Sequence, residues 1–593
     1  MNSILMRGDY PRPQFERSPW MSLNGEWQFQ FDDEQIGLDE QWYGEKTLEQ
    51  RIQVPFCYQS ELSGIGTPEF HDTVWYKRKV EIPREMKGKR IILHFGAVDY
   101  SARVWVNGQL AAAHEGGHTP FSADITSLLR QDGSNEITLQ ARDYSRDVTL
   151  PRGKQFWKEK SELIFYTSTT GIWQSVWIEA VEPVHLSGVF YYPDIDCNEI
   201  GIQYVIAGWS DEADIKVRTR ISFEGEVVAD EECKIIAAKQ KRRIELHDFN
   251  DHGMGRWWSP EHPNLYDVEY RIFVNGMETD VVRSYFGMRK VSVDSGKLCL
   301  NNRPFYMKAV LDQGYFPGGI LTAPSDDVLK RDVELTKLMG FNGVRKHQKI
   351  EDPRFLYWCD KLGLVVWGEA ANAFAFSEAY VQKFTSEWIE AVNRDFNSPS
   401  IIVWVPLNES WGIPNIKVDD QQRQHAMAMY HLTKSLDTTR LVISNDGWEH
   451  VQSDLCTIHD YQWNYDKLVE KYSHIDSALD APQNRDVYVK GYQYEGQPVL
   501  MTEFGGISFQ KGETSGWGYS GATDEADFKK RVYAVIKAMQ DSPLIQGYCY
   551  TQLTDVEQEI NGLLDFNREP KIPLETIRAM NEGKFGLEED EDL

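Results

Sequence analysis

Two stretches of the chain carry residue types that could do chemistry, and they point to different reactions. Between Ala113 and Phe121 the sequence reads AHEGGHTPF, so His114, Glu115 and His118 spell H-E-x-x-H. On a helix that spacing puts two imidazoles on one face, where they grip Zn²⁺ while the glutamate polarises a bound water. Here the variable positions are Gly116 and Gly117, and Pro120 follows closely. Each glycine costs about 1 kcal/mol of helix stability relative to alanine, and proline cannot continue a helix. The preceding ARVWVNGQL has β-branched and aromatic residues on both sides of Asn107-Gly108, a hairpin signal. The stretch therefore reads as a loop between strands, and no metal is assigned to it. The second candidate is a pair of glutamates, Glu409 in IIVWVPLNES and Glu503 in PVLMTEFGG, each ending an apolar run that should be buried. Two facing carboxylates equip a site for glycoside hydrolysis. One protonates the leaving oxygen while the other, kept ionised, attacks the anomeric carbon.

Those apolar runs belong to a region of alternating strands and helices that occupies residues 290–593. FYMKAVL, FNGVR, LVVWGE, IIVWVPLN, LVISND, LCTIH, PVLMTE and QGYCYTQ are its buried-strand candidates, and eight strands close a (β/α)₈ TIM barrel. An open doubly wound sheet is the alternative. Between the first two strands a helix is predicted, capped by Ser325, with Val328, Leu335, Leu338 and Met339 as its apolar stripe and Gly340 as its stop. Upstream, residues 1–181 show short alternating runs such as GEWQFQF, KRIILHF and QSVWIEAV, which read as a jelly-roll sandwich. Residues 182–289, with GIQYVIAG, KVRTRISF, KRRIELHDF and YDVEYRIFVNG, fit an immunoglobulin-like β-sandwich.

Composition narrows the partners. Lys+Arg 63 against Asp+Glu 91 gives a net charge of −28, which repels phosphate backbones and anionic lipid, so neither nucleic acid nor membrane is expected. The terminal GLEEDEDL reads as a solvated acidic tail. Seven scattered cysteines without CxxC spacing read as reduced thiols of a cytoplasmic protein. The start MNSILMRGDYPRP lacks the apolar core of a signal peptide. Aromatic residues at 12%, with 19 Trp and 28 Tyr, suit sugar stacking as well as β-rich cores.

In a barrel of this kind the active site lies at the C-terminal ends of the strands. The polar residues there are Asp312, Arg345, His347, Glu369, Asn408, Glu409, Asn445, Asp446, His459, Tyr461, Glu503, Tyr550 and Gln552. Trp517 is a further substrate-binding candidate.

At these residues a resemblance becomes specific. NRDFNSPSIIVWVPLNES resembles the acid/base signature of family 2 glycoside hydrolases, VLMTEFGG their nucleophile segment, and GFNGVRKHQKIEDPRFLYWCDKLGLVVWGE a third signature. Ser398 stands where the family usually has histidine, and the Arg345–His347 spacing is shorter than in better-known members. The resemblance implies a retaining exo-β-glycosidase that needs no cofactor, with Glu409 as general acid/base and Glu503 as nucleophile. It further implies that Asn408 holds the hydroxyl beside the anomeric carbon, that Tyr461 bonds the nucleophile, and that Arg345 and His347 line the pocket. It also suggests that the PRGKQFW loop, Pro151 to Trp157, reaches the pocket from the first sandwich.

The choice of sugar rests on absences. Relatives that cleave glucuronides use an asparagine-x-lysine pair after the last strand; here Asn561 is followed by Gly562 and Leu563. Without a counter-charge a buried sugar carboxylate is costly. GEAANAFAF lacks the glutamate and histidine with which large β-galactosidases bind Mg²⁺, and Tyr550 stands at the position read as the sugar floor. A neutral sugar is therefore expected, galactoside first, with arabinoside or galactofuranoside behind it and glucuronide disfavoured. Asp555, Glu557 and Glu559 are read as bonding sugar hydroxyls or an amino sugar, or as a rim pair with Arg568. A non-catalytic carbohydrate-binding protein is the rival of another class, and homo-oligomerisation stays open.

Overall fold

The computed structural model describes residues 7–130, 133–246, 256–511 and 516–586. The hairpin at Asn107-Gly108 forms as its residue types dictate. Strands Ser101–Val106 and Gln109–Glu115 pair, and the two turn residues take φ of 52° and 81°, the left-handed conformations a tight hairpin needs. This hairpin is one edge of a six-stranded antiparallel sheet that packs on a four-stranded sheet containing Arg90–Phe95 and Val176–Val181. Leu93, Val104, Leu139 and Ile178 lie between the two layers.

The second sandwich sets a five-stranded sheet against a three-stranded one around Ile202, Val217 and Tyr270. Its edge strand is Glu16–Arg17, paired with Met277–Phe286. The chain thus visits the second sandwich before it builds the first, which hydrophobic alternation alone does not reveal. Part of the predicted KRRIELHDF strand and nearly all of the acidic tail fall in residues 247–255 and 587–593, outside the described residues.

The eight predicted strands of the third region are β1 Met307–Asp312, β2 Gly343–Lys346, β3 Val365–Glu369, β4 Ile401–Val405, β5 Leu441–Val442, β6 Cys456–Asp460, β7 Val499–Gly505 and β8 Ile545–Thr551. They pair in parallel in the order 5-4-3-2-1-8-7-6. Spatial neighbours follow chain order and β8 lies beside β1, the order of a (β/α)₈ ring; a doubly wound sheet would reverse its order part-way. At the seam Asp454 N donates to Val442 O at 3.0 Å, and the His450 ring lies 2.8 Å from Thr457 O. Ala309, Leu311, Trp367, Val403, Leu500 and Cys549 fill the ring. Alternate residues of the same strands, including Val310, Met501 and Tyr550, pack outward.

The first barrel helix, α1 Asp326–Leu338, begins at Ser325, although that side chain makes no cap bond. Its buried stripe is Leu329, Val333 and Leu335, while Leu338 is exposed. Of the predicted stripe, Leu335 and Met339 are buried and Val328 half-buried, so Leu338 alone departs from it. Arg568 pairs with Asp332 of this helix, not with the acidic residues after β8.

The H-E-x-x-H stretch fastens the first sandwich to the barrel helix Glu378–Asp395. His114 Nε2 lies 3.0 Å from Glu390 Oε2, Glu115 pairs with Lys383, and the His118 backbone N–H donates to Glu387 at 2.7 Å. His114 and Glu115 end a strand, so the helical geometry that zinc ligation requires is not formed. Among the described residues no helix is long and apolar enough to cross a membrane.

Candidate active site

The two glutamates meet across the mouth of the ring. Glu409 follows β4 and Glu503 lies within β7, and a carboxylate oxygen of each, with a ring nitrogen of His459, falls within 4.8 Å of the others. Glu409 has φ of 51° and Ser410 φ of 61°. A non-glycine residue in this left-handed region costs about 1–2 kcal/mol, so the surroundings must impose it. They do: Glu409 N donates to Asp446 O at 3.0 Å, Ser410 N to Asn445 Oδ1 at 2.9 Å, and Ser410 Oγ to Glu449 at 2.5 Å. The turn holds Glu409 toward the mouth, where its side chain remains 16% exposed.

Glu503 is buried more deeply and held on both oxygens. Arg345 Nη1 donates to Oε1 at 2.9 Å, and the Tyr461 hydroxyl donates to Oε2. Burial alone would raise this carboxyl, but the positive charges of His459 and Arg345 outweigh it and hold it down at about 2. Burial would likewise lower His459. The Glu503, Asp446 and Glu409 carboxylates around it instead push it up to about 10. His459 Nδ1 is 2.7 Å from Glu409 and 3.6 Å from Glu503. Its proton makes the trio an acid–base cluster.

The signs of these two shifts define a test. His459 is raised from 6.5 to about 10, so its contribution to stability is complete below about 6.5 and lost as pH climbs through about 10. Glu503 is depressed from 4.5 to about 2, so its contribution is complete above about 4.5 and lost as pH falls through about 2. The melting temperature of the wild type should decline between pH 7 and 10 more steeply than that of His459→Gln. Parallel profiles from calorimetry would show that His459 is not charged at neutral pH.

Arg345 is the hub beneath both glutamates. It is completely buried, donating also to Glu369 Oε2 at 2.8 Å and Asn408 Oδ1 at 2.6 Å, with Asp446 3.0 Å away. It is thus enclosed among the carboxylates it links, with no exposed surface of its own. Glu369 is part of the same support and also accepts from Gln348 N. His347 sits 3.3 Å from Arg345, and burial together with Lys154 keeps its imidazole well below the ordinary range, hence neutral. Asn408 leaves its buried Nδ2 donor without a partner, available to a ligand hydroxyl. Tyr461 stacks on Tyr519 at 3.4 Å, and the Trp517 ring lies tilted against Tyr519 at 4.8 Å. Gln552 bonds Gln313 and Asn561, and Asn561 in turn bonds Glu559.

Two candidates are not brought to the mouth. Tyr550 faces the helix layer against Phe504, because β8 alternates and Cys549 takes the interior. Asp312 is taken by Lys346 at 2.5 Å and by Gly314 N. Of the three acidic residues after β8, Asp555 pairs with Lys571, Glu557 accepts from Thr167 N, and Glu559 accepts from the Tyr166 hydroxyl. Tyr519, which stacks on Tyr461, Tyr166, which donates to Glu559, and the pair Trp411 and Lys154 are neighbours that strand-end reasoning did not name. Lys154, in the PRGKQFW loop, carried the one available signal.

Comparison with known proteins finds three models of one family along the chain. "Glycosyl hydrolases family 2, sugar binding domain" matches residues 20–178, "Glycosyl hydrolases family 2" residues 184–289, and "Glycosyl hydrolases family 2, TIM barrel domain" residues 291–516. The chain is 26% identical over 547 residues to the β-glucuronidase of Canis lupus familiaris, covering 84% of this chain and 79% of the relative. It is 27% identical over 398 residues to a β-galactosidase of Thermoanaerobacter pseudethanolicus, covering 65% of this chain and 50% of that protein. The solved β-glucuronidase of Ruminococcus gnavus in complex with D-glucuronic acid superposes with a TM-score of 0.78 at 20% identity, covering 98% and 100% of the two chains. At that identity the likeness is one of fold.

Proposed function

The chain belongs to glycoside hydrolase family 2, and on that premise we propose that it hydrolyses a terminal β-glycoside by double displacement, with Glu503 as nucleophile and Glu409 as acid/base. The observation that carries this is the carboxylate separation: oxygens of Glu409 and Glu503 lie within 4.8 Å. Retaining glycosidases need about 5 Å, whereas inverting ones leave room for a water at about 6.5–9.5 Å. Glu503, kept ionised, attacks the anomeric carbon while Glu409 gives its proton to the leaving oxygen. The C–O bond to the aglycone breaks as the ester bond to Glu503 forms. Glu409, now ionised, takes a proton from water, whose oxygen attacks the same carbon and returns Glu503 to its carboxylate. Asn408 Nδ2 would bond the neighbouring hydroxyl, and Tyr461 and Arg345 keep the nucleophile oriented. The presence of Glu409 opposite Glu503, a pairing that sugar binding alone does not require, counts against a purely carbohydrate-binding role.

For the sugar, the names borne by relatives support a β-glucuronide ahead of the β-galactoside that the sequence put first. A neutral sugar is the second reading, favoured by Leu563 standing where an asparagine-x-lysine pair beginning at Asn561 would have its lysine. The free cysteines support a cytoplasmic setting. A panel of 4-nitrophenyl β-glucuronide, β-galactoside, β-glucoside and both arabinosides tests the proposal. Release of nitrophenol from at least one β-glycoside, with the β-anomer appearing first in NMR, is the expected result. A first-formed α-anomer, or no turnover anywhere in the panel, would count against it.

A further inference from the structure

We propose that Lys154, from the first sandwich, is the residue that selects the sugar, its ammonium receiving the carboxylate of a terminal uronic acid. The proposal rests on the retaining-glycosidase reading and adds a recognition element from a domain that holds neither catalytic glutamate.

Lys154 is only 6% exposed, yet its Nζ makes no hydrogen bond or ion pair among the described residues; its near neighbour is the Trp411 ring, with the centroid at 4.8 Å. A buried ammonium is costly unless an anion meets it. Other cations around the mouth are already matched: Arg345 with Glu369, Asp446 and Glu503, Lys571 with Asp555, and Arg568 with Asp332. Glu559 is the carboxylate on which Lys154 acts electrostatically, but its two oxygens accept from the Tyr166 hydroxyl and from Asn561 Nδ2. Burial also raises the Glu559 carboxyl above its ordinary value, which lessens its repulsion of a second carboxylate. The lysine thus sits among His347 after β2, Trp411 after β4 and Glu559 after β8, acting electrostatically on His347 and Glu559 but in hydrogen-bond or ion-pair contact with neither.

The backbone holds it there. Arg152 N and Gly153 N both donate to Asn372 O, at 3.1 and 2.9 Å. Gly153 has φ of +61°, and a Cβ on it would lie 2.1 Å from Gln348 O. Only glycine lets the loop rest on the barrel rim this closely. Lys154 O accepts from Tyr166 N at 2.9 Å, and Gln155 is tied to Asp99 at 2.7 Å. A lysine fixed in this way is preorganised for its ligand.

The test uses the full chain with 4-nitrophenyl β-D-glucuronide and β-D-glucoside, which differ only in carboxylate against hydroxymethyl. Wild type should prefer the glucuronide, and Lys154→Met should lower the glucuronide-to-glucoside ratio of kcat/KM about 100-fold, the range for removing one partner of a buried charge pair. Lys154→Arg should restore part of the ratio. An unchanged ratio in Lys154→Met, or a wild type that prefers the glucoside, would overturn the assignment while leaving the glycosidase reading intact. No turnover of any aryl β-glycoside would remove that reading itself. Should Lys154→Met fail to fold, competitive inhibition of the wild type decides. D-glucuronate binding more weakly than D-glucose would overturn the proposal, and tighter binding would support it.

Discussion

Replacing Glu503 with glutamine is expected to lower kcat/KM for an activated aryl β-glycoside on the order of 10⁵-fold, the scale seen when a covalent nucleophile is removed. The amide is close in shape, so the loss would report chemistry. Arg345 keeps its ion pairs with Glu369 and Asp446 in the variant, and the buried guanidinium is not stranded. The melting temperature should therefore change far less than the activity. Because Glu503 is held ionised by His459 and Arg345, the acid limb of the wild-type pH profile should not come from it. Turnover within tenfold of wild type would remove Glu503 from the nucleophile role.

The second large effect concerns Glu409, and it depends on the leaving group. Glu409→Ala should lower kcat/KM for an alkyl β-glycoside about 10³-fold, since a poor leaving group needs its proton, and for a dinitrophenyl glycoside about tenfold or less. Hydrolysis of the covalent intermediate should become slow for every substrate, because the water loses its base. Azide, an anion that needs no base, should restore kcat for the dinitrophenyl glycoside and give a β-glycosyl azide. Equal losses for both kinds of leaving group, without azide rescue, would show that Glu409 acts in some other way. His459, 2.7 Å from Glu409, would then be the next group to examine as proton donor.

Much of this site was legible from strand ends. Glu409 and Glu503 stand out because each closes a fully apolar run, a place where a carboxylate is costly unless it is used. Their chain positions, after the fourth and within the seventh strand of a ring of eight, put them across the mouth from one another. The barrel was legible for a related reason: buried parallel strands read as unbroken apolar stretches that can be counted. Tyr550 was misjudged because a strand buried on both faces hides its parity. Cys549 points inward and Tyr550 outward, yet both are apolar enough for either face. Arg345 was legible as a site residue but not as a buried hub, because the carboxylates it links lie far apart in sequence. Lys154 was beyond strand-end reasoning altogether. Its place in the pocket depends on how one domain docks on another, through contacts such as His118 with Glu387 and Gly153 with Asn372. The same docking explains why H-E-x-x-H resembled a metal motif: its histidines and glutamate meet charged side chains of a barrel helix.

The central claim is that a sugar becomes covalently attached to Glu503. A 2-deoxy-2-fluoro β-glycoside with a dinitrophenyl leaving group slows both steps by destabilising the oxocarbenium-like transition state, and the good leaving group lets the first step outrun the second. After incubation with the version of this reagent matching the preferred sugar, the intact protein should gain the mass of one fluorosugar. Peptide mass spectrometry should then place it on the carboxylate of Glu503. A label on Glu409 or on any other residue, or inactivation without a covalent adduct, would contradict the account.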